Sequence, residues 1–384
     1  MINMFLFLCI VFLFTFLVGR IIERLRVPWV FASLIFGAML AIYNPFASIT
    51  SSSLFTFLAR LGMYFLLFMI GLELDLNQLK KKGRFIFKAT FSIIFLEVII
   101  GGSFIHFVFS YSWIVSFLVA LSFATVGEAV LIPILDEFKI INTNLGQTII
   151  GIGTLDDIVE VFTLIVAVVL IGSSVRTTFH IGLILVSLFV LFILTIGFTK
   201  LKKEGKKFNF LNIETLFLFT IFVFFLFLGI GQLAETTALA ALLAGIGIKT
   251  FAPERRLKLI ESEIKTMCYG FFAPIFFLWV GVTLDIGYII TYPLLVLLIV
   301  IISSGAKLLG SYIIARRELG LRQSILLGIG LSVRFSTSII VLKILFDNAL
   351  INVSLYSIII ASSMVFQFLI PLLFSNILAR WKVR

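Results

Sequence analysis

Gly146 to Gly172 reads GQTIIGIGTLDDIVEVFTLIVAVVLIG, a run long enough and apolar enough to cross a bilayer as one helix. Near its middle stand two adjacent carboxylates, Asp156 and Asp157. By insertion scales each mid-membrane aspartate costs roughly 2.5–3.5 kcal/mol. A counter-charge, a water-filled cavity or a bound cation must offset that cost, and an ion-translocating protein supplies all three. The rest of the chain has the composition of a membrane protein: 61% of its 384 residues are hydrophobic and 13% charged, where a soluble domain carries about 25% charged. Mean hydropathy is +1.22.

Thirteen membrane spans are predicted, near residues 2–19, 28–43, 53–73, 85–109, 112–135, 144–172, 178–199, 211–230, 232–248, 264–284, 289–315, 322–346 and 353–378. With the N-terminus outside and the C-terminus cytoplasmic, about 25 of the 30 lysines and arginines fall in cytoplasmic connections, and Arg176 alone falls in the outer ones. The excess of +11 is therefore a topological signal and no nucleic-acid patch. Asn3 to Val18 lacks the basic flank and small-residue cleavage site of a signal peptide, so it reads as a first membrane helix. Cys9 and Cys268, each in an apolar run, read as free buried thiols.

The chain carries an internal repeat. FMIGLELD (Phe68–Asp75) in the third span corresponds to LWVGVTLD (Leu278–Asp285) in the tenth, and ASLIFG (Ala32–Gly37) in the second to AALLAG (Ala240–Gly245) in the ninth. Spans one to six and eight to thirteen thus form two units of inverted topology, the architecture of secondary transporters. The fifth span, SFATVGEAVLIPIL, is interrupted at Thr125, Gly127, Glu128 and Pro133. The twelfth, GIGLSVRFSTSII, is interrupted around Gly330, Ser332, Arg334 and Ser336. Paired interruptions in corresponding spans mark a transporter's binding site. Small-residue helix packing is the plainer explanation, but it accounts for neither Glu128 nor Arg334.

Few other charges lie inside spans. Lys307, in SSGAKLLG, stands roughly 13 Å along the helix from Arg316 and needs a partner, since that is too deep for easy snorkelling. Asp156 and Asp157 point about 100° apart on a helix, so one can pair with a cation while the other faces a cavity. Glu160 follows one turn on and could line the same pathway or serve packing. Glu97 is alone in the fourth span, Arg60 and Lys343 read as interfacial or structural, and His106 and His180 as solvated near the outer surface. An intramembrane aspartyl protease needs its carboxylates on two helices, each directly after glycine, and here they are neighbours in sequence. No nucleotide loop, Ser–His arrangement or metal-ligand cluster is present, so neither an enzyme nor a cofactor is expected.

RLRVPWVFASLIFGAML (Arg24–Leu40), LLFMIGLELDLNQLKKKGR (Leu66–Arg84), LIPILDEFKIINTNLGQTIIGIGTLDDIV (Leu131–Val159), FFAPIFFLWVGVTLD (Phe271–Asp285) and SSGAKLLG together resemble the monovalent cation:proton antiporter-2 family, in its electrogenic sodium/proton branch. The resemblance implies an all-α membrane fold with two inverted six-helix repeats and crossed broken helices. It implies scaffold and dimerisation helices over 1–76, core transport helices over 84–172, a linker helix over 173–208, further scaffold over 209–287 and a second core set over 288–384. The core would move like an elevator against a homodimeric scaffold. Asp157 would bind the ion or proton, Asp156 would bind too and form a switchable pair with Lys307, and Thr125 would lie at the crossover. Sodium or lithium and protons would be the substrates. Potassium-selective relatives tend to carry Gln-Asp and large regulatory domains, and this chain has Asp-Asp and reads to Arg384 without one. Relatives often show Gly-Glu after the arginine where this chain has Phe335 and Ser336, and a small or apolar residue at Glu128. An acid could have moved from one broken helix to the other. Potassium/proton exchange is the runner-up, and a gated monovalent cation channel is the alternative from another class.

Overall fold

The computed structural model describes residues 3–25, 27–73, 83–127, 131–132, 134–135, 138–175, 186–187, 189–197, 213–233, 236–251, 254–334 and 336–381. Within these, the side chains of 157, 158, 160, 161, 168–175, 254–256 and 336 lie outside the description. His180 and Glu128 lie outside the described residues, as do the side chains of Asp157, Glu160 and Ser336.

Every regular element described is helical: α1 (Met4–Glu23), α2 (Phe31–Ile42), the single turn α3 (Ala47–Thr50), α4 (Ser53–Glu73), α5 (Arg84–Phe109), α6 (Trp113–Ala124) and α7 (Asn144–Val175). There follow α8 (Ile213–Gln232), α9 (Thr237–Phe251), α10 (Glu254–Met267), α11 (Ala273–Val282), α12 (Ile286–Thr291), α13 (Pro293–Leu331), α14 (Ser336–Asp347) and α15 (Val353–Trp381). A π-helical turn, Cys268–Phe272, joins α10 to α11. Long apolar helices able to cross a bilayer include α1, α4, α5, α8, α13 and α15, together with Leu257–Val282. The chain is an all-α multi-pass membrane protein. Gly320, at φ +78°, divides α13 into two helical segments, a left-handed backbone conformation open to glycine at little cost.

The chain forms two compact units. One comprises Met1–Val11, Phe46–Leu74 and Leu164–Trp279. In it α4 packs along α9, α8 packs on α9, and the π turn lies against α4. Phe65 of α4 stacks on Phe224 and Phe272 at centroid distances of 4.2 and 4.5 Å. The close approach is at Gly71 and Gly245. A Cβ added at Gly71 would collide with the Leu242 carbonyl oxygen, and one at Gly245 would lie 2.9 Å from the Gly71 carbonyl carbon.

The second unit comprises Phe12–Pro45, Asp75–Thr163 and Val280–Arg384. Here α13 packs against both α5 and α15, and α6 against α5 and α14. Buried residues of α5 recur at three- and four-residue spacing (Thr90, Ile93, Ile94, Glu97, Gly101, Ile105), so one stripe of that helix faces its neighbours. Glu97 sits in that stripe. In the same unit Gly281 approaches α2 as closely as Gly245 approaches α4: an added Cβ would lie 2.8 Å from the Gly37 carbonyl carbon.

Two expectations are corrected. Cys9 is exposed on α1, not buried, because its helix turns that side outward, whereas Cys268 is buried as expected. His106 is half-buried, with Nδ1 2.6 Å from the Tyr111 carbonyl oxygen and its ring stacked 3.9 Å from Trp113. Tyr111, in the connection after α5, accepts the Asn352 N–H at 2.8 Å; burial raises the pKa of its hydroxyl, with that hydrogen bond opposing. Lys343 fits the structural of its two readings: it is buried, bonds Asp347 one turn on at 2.6 Å and stands 5.0 Å from the Phe346 ring centroid.

Candidate functional site

Two helices of the second unit break where small and polar residues interrupt their apolar runs. α6 ends at Ala124, and Thr125, Val126 and Gly127 continue without helical bonds. α13 ends at Leu331, and Ser332 to Arg334 precede α14. The two breaks touch through backbone: Gly127 N–H donates to the Val333 carbonyl at 2.8 Å. Across the same junction the Thr125 and Ser338 hydroxyls are 2.7 Å apart. Such breaks leave half-helix ends with partial charges that need partners.

Lys307 supplies positive charge to two of those ends. Its ammonium donates to the Leu331 carbonyl at 2.6 Å and to the Thr125 carbonyl at 3.3 Å. It thereby caps the C-terminal, electronegative ends of both α13 and α6. Asp156 supplies the opposite sign: its carboxylate, buried in α7, accepts the Val126 N–H. The crossover is thus bracketed by one cation and one carboxylate from two different helices. Thr125, Lys307 and Asp156 meet at this junction, and Arg334 ends the second break.

Sequence reasoning placed Glu97 by itself, and the structure surrounds it. Glu97 Oε2 is 3.5 Å from Lys307 Nζ and its Oε1 accepts the Ser303 hydroxyl. Arg334 Nη2 donates to the same Ser303 Oγ at 2.5 Å and lies 3.8 Å from Glu97 Oε1. The guanidinium is held between Phe123 and Phe366, 4.8 and 4.2 Å from their centroids. Glu97, Lys307 and Arg334 are all fully or almost fully buried. The signal for this cluster is Ser303 and Lys307, at i and i+4 on one face of α13, together with the periodic stripe that carries Glu97. Ile93 packs one turn away against Gly310, which brings the two helices close enough for contact.

Ser303 relays between an acid and a base, so its loss leaves two buried polar groups short of a partner. Each such group costs about 1–3 kcal/mol. Ser303→Ala should therefore lower the thermal midpoint of the purified protein in detergent, while Ser303→Thr, which keeps the hydroxyl, should restore most of it. Equal midpoints for wild type and Ser303→Ala would remove the relay.

Two adjacent carboxylates in one helix, two helix breaks that meet through backbone and a buried cation capping them are features of a secondary transporter. The family model for the sodium/hydrogen exchanger, transmembrane, matches residues 10–380, and the chain belongs to that family. It is 28% identical to a Methanocaldococcus jannaschii protein described as "Probable Na(+)/H(+) antiporter 3", over 94% of this chain and 93% of that one. It is 27% identical to YjbQ of Bacillus subtilis over 73% of this chain, and spans 47% of that protein's length. Among solved structures, the sodium proton antiporter MjNhaP1 of Methanocaldococcus jannaschii at pH 8 has the same fold, with a TM-score of 0.64, 18% identity and coverage of 98% of this chain and 96% of that one. The relatives are transporters by description, and the protein is not an enzyme.

Proposed function

We propose that this chain exchanges protons for sodium or lithium across the cell membrane by alternating access. The observation that carries the reading is the crossover itself, where buried Asp156 meets the Val126 N–H beside the Gly127–Val333 backbone bond. A carboxylate held at a break between half-helices can alternate between proton and cation, because either one neutralises it. Asp157, next along α7, is the main ion- and proton-binding residue in this reading and Asp156 its companion. Glu128, Ser336 and Glu160 are further pathway candidates. The descriptions of the two Methanocaldococcus jannaschii proteins name sodium and protons, which supports the choice of substrates.

The elevator reading assigns 84–172 and 288–384 to the moving core and 1–76 and 209–287 to the scaffold, with 173–208 as linker. Two glycine contacts support an inverted repeat. Span two meets span ten at Gly37 and Gly281, and span three meets span nine at Gly71 and Gly245. Exchanging the repeats turns one contact into the other, as inverted symmetry requires. Thirteen spans with the N-terminus outside, a homodimer and the antiporter-2 branch rest on the sequence and the resemblance. So does the electrogenic form of the cycle, in which Lys307 also yields a proton when Asp156 takes the cation. That last point turns on the groups around Lys307, which include Glu97.

Proteoliposomes loaded with a pH-sensitive dye test the exchange. Sodium or lithium added against a proton gradient should collapse it, and potassium should not. An equal response to potassium would mean potassium/proton exchange. A sodium gradient that dissipates without proton movement would mean a channel. Transport by Glu128→Gln indistinguishable from wild type would remove that residue from the pathway.

A further inference from the structure

An aspartate pair that alternates between proton and cation does not by itself say how many protons leave per sodium. That depends on Lys307. If Asp156 were its sole counter-charge, a cation arriving at Asp156 would strand a buried ammonium, which would shed its proton. The contacts show otherwise. Lys307 Nζ has Glu97 Oε2 at 3.5 Å, the Leu331 carbonyl at 2.6 Å and the Thr125 carbonyl at 3.3 Å. None of these acceptors is on α7. The charged groups acting on Lys307 among the described residues are Glu97, Arg334 and Asp156. Among the described residues, Glu97 is the carboxylate within 4 Å of the ammonium. Arg334, the second cation, leans on the same carboxylate through Ser303 and on two aromatic faces.

We propose that Glu97 is a positioning residue of the exchange cycle, a buried carboxylate that carries no cargo and keeps Lys307 protonated while the aspartate pair takes up sodium. This rests on the sodium/proton reading above. The balance is one for one. The O–H bond of a protonated carboxyl of the pair breaks, its proton leaves, and sodium takes the place of that positive charge. The N–H bonds of Lys307 are unchanged. The crossover carries the same charge before and after, so the cycle moves no net charge. Glu97 also faces Arg334, at 3.8 Å and through the Ser303 hydroxyl.

Replacing Glu97 by glutamine keeps the shape and removes the charge. Sodium then enters opposite an ammonium without a contact carboxylate, and coulombic repulsion in a buried site is strong. Lys307 must release its proton for sodium to bind. The test is purified protein in proteoliposomes and on solid-supported membranes, with sodium-driven proton flux and transport current measured together. Wild type should exchange sodium for protons with no net current. Glu97→Gln should move close to one net charge per sodium, with KM for sodium raised about tenfold, a change of about 1.4 kcal/mol, and kcat altered much less. Glu97→Asp, which keeps the charge, should return most of the wild-type ratio; a purely structural role would not move the ratio at all.

Wild-type exchange that carries one net charge per sodium overturns this inference alone and leaves sodium/proton exchange standing, and that measurement needs no variant to fold. Glu97→Gln with unchanged charge per sodium and unchanged KM also overturns it. No sodium-dependent proton movement by wild type overturns the exchange reading and this inference with it.

Discussion

Asp157→Asn should abolish sodium-dependent proton movement in proteoliposomes, lowering it at least about a hundredfold, the effect of roughly 2.7 kcal/mol lost from the loaded state. Asparagine is nearly isosteric, so α7 keeps its packing while the position loses both its titratable proton and the charge that offsets cation desolvation. Asp156 cannot take over without giving up its own task, since its carboxylate already accepts the Val126 N–H at the end of the broken helix. The two substitutions should differ in degree. Asp156→Asn retains an oxygen acceptor for Val126 and should weaken sodium binding, while Asp157→Asn should stop exchange. Dye-reported proton flux at matched protein density measures both. Substantial flux through purified Asp157→Asn would sink the assignment.

The second large effect concerns stability. Gly71→Ala should lower the thermal midpoint of the protein, and Gly229→Ala should leave it unchanged or raise it. Both glycines are in helices, where alanine is intrinsically better by about 0.5–1 kcal/mol. An added methyl at Gly229 meets nothing within 4 Å, so only the intrinsic term acts there. At Gly71 the methyl would collide with the Leu242 carbonyl oxygen and crowd Gly245 Cα at 3.1 Å. Backbone cannot move aside as a flexible side chain can, so α4 and α9 must separate and lose contact along their length. Overpacking of this kind costs about 1–3 kcal/mol and occasionally more, which reverses the sign. Melting followed in detergent, with both variants purified side by side, reads the difference. A Gly71→Ala protein that melts at or above wild type would show that the helices do not depend on that approach.

Helix positions were the most legible part of this chain, because a bilayer imposes length and hydropathy together. The expected span at 53–73 is α4, and 85–109 is α5 within one residue. The break in the fifth span falls at Thr125, where polar and small residues interrupt the run. The separation of the eleventh and twelfth spans falls at Gly320, inside the polar stretch between them. The glycine motifs were legible as well, but their partners were not: ASLIFG and FMIGLELD look alike as small-residue faces, and only packing shows that the first meets Gly281 and the second Gly245.

The sequence by itself determined which residues need a partner, since burying an unpaired charge in an apolar span is prohibitive. That argument singled out Asp156, Asp157, Lys307, Arg334 and Glu97. It could not say who meets whom. Periodicity places a side chain on a face of its own helix, while the helix it faces is set by how all the others pack. So Lys307, which the resemblance pairs with Asp156, lies in contact with Glu97 and the Thr125 and Leu331 carbonyls. Arg334, which the sequence left without an identified partner, reaches an acid on α5 through Ser303. Tertiary structure decided the pairing because α5 and α13 close around Gly310, and that contact joins residues more than two hundred positions apart.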